Sequence, residues 1–489
     1  MMAARSFSSR FLRVVFFFGL LPAILDGCTV GPNYQRPQPE APLRWSEIHG
    51  TGVTTEPVGA EIIRWWTLFG DPELDSLIDR AVRSNLDLKI AGARVREARA
   101  QRVIAGADAY PSLSASALYS RTGRSENGTS SSPAGGFAPF DLFQAGFDSA
   151  WEMDVFGGVR RSVEAATADI EASEENRRDV LISLLAEVAR NYLEVRAEQR
   201  RIAIAQDNIG SQKETLELTK ARLEAGLSSE LEVAQAQAQL STTESTVPGL
   251  ESARRQAIHQ LGVLLGVEPG ALIEELSREA PIPSATPEIP IGLPSDLLRR
   301  RPDVRRAERQ LAAATARIGV ATADLFPQFS LTGATGLQSI AIDKLARIGS
   351  GFWSFGPTVS WNVFDAGKIR ANIEVQNARQ EQALDTYEKA ILTALTDVEN
   401  ALVAYANEQL KRRSLSRAVD ANHRSSDIAG ELYSKGLVDF LNVLDSQRLL
   451  YQSRDQLVQS DQNVSAGLVA LFKALGGGWK EDPEASIKK

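Results

Sequence analysis

The chain has 489 residues, with 54 Lys and Arg against 62 Asp and Glu, a formal net charge of −8, one cysteine and three histidines. An acidic chain with scattered cations offers no electrostatic footprint for nucleic acid, and one cysteine forms no internal disulfide. His49, His259 and His423 stand far apart without metal-ligand spacing, and neither a nucleophile elbow nor a phosphate loop occurs; no enzyme, metal or cofactor is indicated.

Residues 1–27 read as a secretory signal: Arg5, Arg10 and Arg13 precede an apolar run at 14–25 that is too short to span a bilayer. Leu25-Asp26-Gly27-Cys28 resembles a bacterial lipobox, in which the thiol is acylated and becomes the new N-terminus, although Asp26 stands where a small residue is usual. Thr29 follows in place of the aspartate that resembles an inner-membrane retention signal, so an outer-membrane destination is expected. Loss of 1–27 leaves a net charge of about −10. No later run is long enough for a membrane helix, so any bilayer crossing requires strands closed into a barrel.

The remainder contains one unit twice. A shift of 210 lays 218–267 on 428–477 without a gap, carrying Gly226 to Gly436, Leu227 to Leu437, Gln237 to Gln447 and Leu261 to Leu471. The same shift carries Trp151 to Trp361 and Arg160 to Arg370. A period this long is a tandem domain duplication, not a short-repeat solenoid.

In chain order, each copy presents two segments of period 2. Leu113, Ala115, Ala117 and Tyr119 alternate with serines; Phe147, Trp151, Met153 and Val155 alternate with Asp148, Glu152 and Asp154. In the second copy Phe329 and Leu331 alternate with Gln328, Ser330 and Thr332, and Val359, Trp361 and Val363 with Thr358, Ser360 and Asn362. This is the pattern of outer-membrane barrel strands. The intervening loop at 121–139 is rich in Gly, Ser and Pro, and the first copy is six residues longer there, at a place where insertion is tolerated.

A heptad seam follows at Leu181, Leu185, Val188, Tyr192, Val195, Gln199, Ile202, Gln206 and Ile209, with no strong breaker from Val159 to Ala225. Its copy runs from Ile391 through Tyr405 and Gln409 until Arg412 breaks the seam. Gly226 and Gly436 read as left-handed helix ends, so each copy carries a long helical hairpin tipped by Gly-Leu. Residues 281–294 hold five prolines and predict an extended connector, and Arg299-Arg300-Arg301 reads as the solvated start of a helix with Pro302 near N1. Four strands cannot close a barrel, since eight is the smallest outer-membrane size; several copies must contribute, and three would give twelve strands.

These segments resemble the outer-membrane efflux proteins of the TolC-like family: WWTLFGDPELDSLI from Trp65, CTVGPNYQRP from Cys28, IGLPSDLLRRRPDVR from Ile291, and the pair WEMDVFGG from Trp151 and WNVFDAG from Trp361. The resemblance spans nearly the whole mature chain, and the Cys28 segment resembles the lipoprotein branch that serves resistance-nodulation-division (RND) pumps. It implies a mainly α fold with a membrane β-barrel, four strands and long helical hairpins per protomer, closed as a homotrimer with a twelve-strand barrel and an α-helical tunnel. It implies lipidation at Cys28, lipid anchoring in the outer membrane with extension into the periplasm, and as partners a periplasmic adaptor and an inner-membrane RND pump. It implies adaptor contact at the tips (Gly226, Leu227, Gly436, Leu437). It also implies a periplasmic gate at Asp445, with Asn442 where some relatives have a second acidic residue, and Tyr433 bracing the closed state. The organisation read from these segments is a signal peptide at 1–27, an acylated extension at 28–64, a first repeat at 65–280, the connector at 281–294, a second repeat at 295–478 and a flexible tail at 479–489. An exit duct of a tripartite efflux system for drugs or other small toxic compounds is the expected function. The outer component of type I protein secretion, and a periplasmic coiled-coil lipoprotein without a channel, remain as alternatives. The exported substrate is not legible.

Overall fold

The computed structural model describes residues 29–38, 42–46, 53–54, 60–123, 139–285 and 289–480. Cys28 lies outside them, as does most of the expected loop at 121–139. The described chain forms two compact units. One draws on the described residues within Met1–Pro37, Val95–Ser173 and Ala307–Tyr387, the other on those within Gln38–Arg94, Glu174–Arg306 and Glu388–Lys489. Each unit takes segments from both copies of the duplication.

The first unit holds one antiparallel sheet of four strands, β1 (Ser112–Thr122), β2 (Phe140–Met153), β3 (Gln328–Ser339) and β4 (Gly351–Ser360), in the order β1-β2-β3-β4. The two copies meet where β2 pairs β3, with Trp151 opposite Leu331 and Phe147 opposite Thr335. Strands of 10 to 14 residues suffice to cross a bilayer at a tilt. Leu113, Tyr119, Phe147, Trp353, Phe355 and Val359 are all exposed. Among the described residues, β1 and β4 are each paired on one side only.

The period-2 reading locates all four strands but runs β2 and β4 too far. β2 ends at Met153, short of Asp154 and Val155, and β4 ends at Ser360, so Trp361 and Val363 fall beyond it. Trp361 Nε1 donates to the Leu325 carbonyl at 3.0 Å and Trp151 Nε1 to the Ala109 carbonyl at 3.0 Å. Each indole ties its strand end, Trp151 within β2 and Trp361 one residue past β4, to the segment leading into the first strand of its own copy.

A helix of 67 residues follows the second strand of each copy, Gly158–Glu224 after β2 and Lys368–Ser434 after β4, and the 210-residue shift superposes their bounds. At 1.5 Å per residue each is about 100 Å long. The break in the seam at Arg412 does not end the second helix; the side chain instead pairs with Asp461. After the Gly226 turn the first copy continues as Glu230–Glu244 and Val247–Leu265, while the second continues as one helix, Phe440–Ala474. Pro248 explains the difference, since it withholds an amide and disfavours helix at the residue before it.

The WWTLFGDPELDSLI segment is a cap and a core stripe in the second unit. Asp71 accepts from the Glu73 and Leu74 amides at 2.9 and 3.3 Å, Pro72 takes the first turn, and Leu74, Leu77, Ile78 and Ala81 bury one face of helix Pro72–Ser84. Trp65 stacks on Phe472 at 5.6 Å. Each fully buried leucine here contributes about 1.5–3 kcal/mol.

The described connector residues 281–285 and 289–293 carry no helix and are held in place. Ser465 donates to the Pro283 carbonyl at 2.8 Å, Ile289–Pro290 pairs in parallel with Val53–Thr54, and Trp45 Nε1 donates to the Gly292 carbonyl at 3.0 Å. Arg301 is not solvated as expected. Its side chain is 10% exposed and reaches Asp303 at 2.6 Å and Asp397 at 2.9 Å, with a further bond to the Ala474 carbonyl at 3.2 Å. Pro302 starts the next helix, Pro302–Ala323, so Arg301 is the junction residue between two helices. Trp479, at the start of the expected tail, is buried between the guanidinium groups of Arg178 and Arg305, 4.6 and 5.4 Å from its ring.

Candidate functional site

The two hairpin tips lie in the second unit and are built alike. Gly226 and Gly436 have φ of +73° and +72°, and nothing lies closer than 3.9 Å to a Cβ built on either. Conformation rather than space therefore selects glycine. The Gly226 amide donates to the Leu223 carbonyl and the Leu227 amide to the Arg222 carbonyl, at 2.9 and 2.8 Å. The Gly436 amide donates to Tyr433 and the Leu437 amide to Leu432, both at 2.9 Å. These bond pairs make each tip a Schellman turn. Each projects two leucines into solvent, Leu227 and Leu231 at 68% and 65% exposure, Leu437 and Leu441 at 67% and 63%.

Behind the tips the two hairpins meet. Leu216, Ala236, Leu240, Tyr433, Phe440 and Val443 form a small buried cluster, with the Tyr433 and Phe440 rings 5.5 Å apart. The Tyr433 hydroxyl donates to Glu232 Oε2 at 2.9 Å, and Ser228 donates to the same oxygen at 2.6 Å. The Arg222 guanidinium lies 4.7 Å from the Tyr433 ring centre and donates to the Tyr433 carbonyl at 3.1 Å. Burial raises the Tyr433 phenol above its ordinary pKa, so it stays a hydrogen-bond donor at physiological pH.

Glu232 and Arg222 were not anticipated. A signal existed: the 210-residue shift carries Arg222 to Leu432, Leu223 to Tyr433 and Glu232 to Asn442. At these three positions the copies diverge, and there one hairpin grips the other.

Asp445 and Asn442 are exposed on helix Phe440–Ala474. Asp445 pairs with Arg448 at 2.5 Å, and Asn442 donates to the Asp439 carbonyl at 3.4 Å. Neither touches Tyr433 among the hydrogen bonds described. Gln447 donates to Thr215 at 2.9 Å, a second link between the hairpins. Among the described residues no group of three His, Cys, Asp or Glu could hold a metal, and no helix is long and apolar enough to cross a membrane.

Comparison with known proteins agrees with this architecture. The sequence pattern of the family described as outer membrane efflux protein matches residues 77–267 and again 293–477. The chain is 34% identical over 465 residues to a toluene efflux pump outer membrane protein, TtgI, of Pseudomonas putida, covering 94% of this chain and 97% of that protein. It is 36% identical over 433 residues to the pyoverdine export outer membrane protein OpmQ of Pseudomonas aeruginosa, covering 88% and 90%. The solved outer-membrane channel OprN superposes with a TM-score of 0.86 at 36% identity, over 92% of this chain and all of that one. The chain belongs to the outer membrane efflux protein family.

Proposed function

We propose that this protein is the outer-membrane exit duct of a tripartite efflux system of the RND type, conducting drugs or other small toxic compounds passively, with energy supplied by a partner pump. The observation that carries the reading is the four-stranded sheet with apolar side chains exposed and, among the described residues, both edges unpaired, on a chain of a channel family. Lipid tolerates no open edge, and joining β1 of one copy to β4 of the next in a homotrimer closes twelve strands. A periplasmic coiled-coil lipoprotein leaves this sheet without a purpose.

In this reading the signal occupies 1–27, Cys28 carries the lipid, the repeats occupy 65–280 and 295–478 around the connector at 281–294, and 479–489 trails the second repeat. The tips face the periplasm, where Leu227 and Leu437, exposed beside Gly226 and Gly436, offer apolar knobs to an adaptor. Tyr433 braces the closed state by gripping Glu232, and Asp445 forms a ring of three carboxylates that favours cations, with Asn442 adding no charge. Relatives named for toluene and for pyoverdine match this chain to similar degrees; in this reading substrate choice falls to the pump.

The test is dye accumulation in a strain lacking its own exit duct but carrying a cognate adaptor and pump. Expression of this chain lowers accumulation several-fold if the reading holds; unchanged accumulation, with the protein detected in outer membranes, contradicts it.

A further inference from the structure

The residues ahead of the first helix are seated in a built slot within the first unit. The Val30 amide donates to the Phe156 carbonyl at 3.1 Å, just past the end of β2. Arg161, in the first turns of helix Gly158–Glu224, directs its donors at the same segment. Nε donates to the Val30 carbonyl at 3.1 Å, and Nη2 donates to the Gly31 carbonyl at 3.3 Å and to Asn33 Oδ1 at 2.7 Å. Nη1 donates to Glu164 at 2.7 Å, and the side chain is 4% exposed. A buried guanidinium is tolerated when its donors are matched in this way.

The walls of the slot require the residues found there. Gly31 has φ of +87°, and a Cβ on it would stand 2.5 Å from Gly319 Cα. A Cβ on Gly319 would stand 2.7 Å from Arg161 Cγ, and one on Gly157 would stand 2.8 Å from Thr29 Cγ2. Farther along, the Tyr34 hydroxyl donates to Glu308 at 3.0 Å, the Arg309 guanidinium lies 5.5 Å from the Tyr34 ring centre, and Arg36 pairs with Glu308 at 2.9 Å. Contacts therefore fall on Thr29, Val30, Gly31, Asn33, Tyr34 and Arg36. The duplication supplies an internal comparison. The 210-residue shift carries Arg161 onto Ala371, so the reading arginine exists only in the copy that has an N-terminal strap to receive.

We propose that this slot is an intramolecular peptide-binding site that holds the lipid-bearing N-terminus at the end of β2, with Arg161 as its positioning residue. The proposal rests on acylation at Cys28. Covalent geometry leaves about 3.8 Å between the Cα atoms of neighbouring residues, so seating Thr29 fixes where the acyl chains can start. An unseated strap of nine residues would let the anchor range over about 16 Å. Seating makes the lipid and the strand end enter the membrane as one body, so the slot serves insertion rather than acylation.

The test uses full-length protein in outer membranes and three readouts: radiolabelled palmitate for acylation, chymotrypsin cleavage after Tyr34 for seating, and the heating-dependent electrophoretic shift of a closed barrel for insertion. Arg161→Ala is expected to keep its palmitate, to be cleaved at least tenfold faster and to give several-fold less shifted protein. Six Gly/Ser residues inserted between Cys28 and Thr29 leave the slot intact, and this variant is expected to resist chymotrypsin while also losing shifted protein. The same insertion after residue 40, beyond the slot, is expected to behave as wild type. Wild-type barrel yield from both the Arg161→Ala variant and the Cys28–Thr29 insertion, with palmitate present, overturns the proposal. Absence of palmitate from the wild-type protein overturns the acylation reading, and the anchoring role with it.

Discussion

The Tyr433 hydroxyl reaches Glu232 Oε2 at 2.9 Å across 201 residues of sequence, joining the hairpin tip of the second copy to that of the first. A hydrogen bond to a carboxylate contributes about 1.5–3 kcal/mol. Tyr433→Phe keeps the ring contacts with Phe440 and Arg222 and deletes the hydroxyl that makes this link. The expected result in planar bilayers is an open probability raised about tenfold or more. A conductance record matching wild type would remove the brace from the mechanism.

Leu227 and Leu437 are exposed knobs with little packing of their own, so replacing both with Arg should leave the thermal unfolding temperature within about 2 °C of wild type. Adaptor co-purification should fall at least tenfold, and dye accumulation in complemented cells should rise in parallel. If the adaptor still co-purifies fully, the tips do not carry the docking.

Asp445 and Arg448 make opposite predictions because they neutralise each other at 2.5 Å. Asp445→Ala should reduce the preference for cations over anions, read from the reversal potential in a salt gradient. Arg448→Ala should increase it. Reversal potentials that do not move in either variant would mark Asp445 as a solvated helix-face carboxylate.

Arg301 ties together Asp303, Asp397 and the C-terminal end of helix Phe440–Ala474. Removing one partner of a buried pair costs about 3–5 kcal/mol, so Arg301→Ala should be strongly destabilised, with Arg301→Lys between it and wild type. Burial pushes the Asp303 carboxyl up, but its hydrogen bonds and charge contact with Arg301 outweigh this and hold it below the ordinary value of 3.8. A depressed carboxylate adds stability that is fully present above the unfolded-state value and is lost as pH falls through the folded-state value. The stability gap between wild type and Asp303→Asn should therefore be constant at neutral pH and narrow below about pH 3.9. A gap independent of pH down to 2 would contradict this assignment.

Periodic features were legible and singular ones were not. The seam from Leu181 and the absence of breakers placed the first long helix at 159–225, against Gly158–Glu224 observed, because a heptad repeated many times averages out local noise. Gly226 and Gly436 were legible because a helix end that needs positive φ leaves a residue-type signature. Alternation overruns the ends of β2 and β4, since the apolar–polar pattern continues to Val155 and Val363 after strand pairing has stopped at Met153 and Ser360. Arg301 looked like one of three solvated arginines, because its burial depends on Asp397 and Ala474 arriving from distant segments. Glu232 and Arg161 share that property. Their roles depend on a partner far away in sequence, and the only local sign is that their counterparts, Asn442 and Ala371, differ.

Single-particle electron microscopy of the detergent-extracted protein decides whether several copies close one barrel over one duct. Hollow particles with threefold symmetry are expected, more than about 100 Å long given the 67-residue helices. Solid rods or monomeric globules without a central channel would contradict such closure.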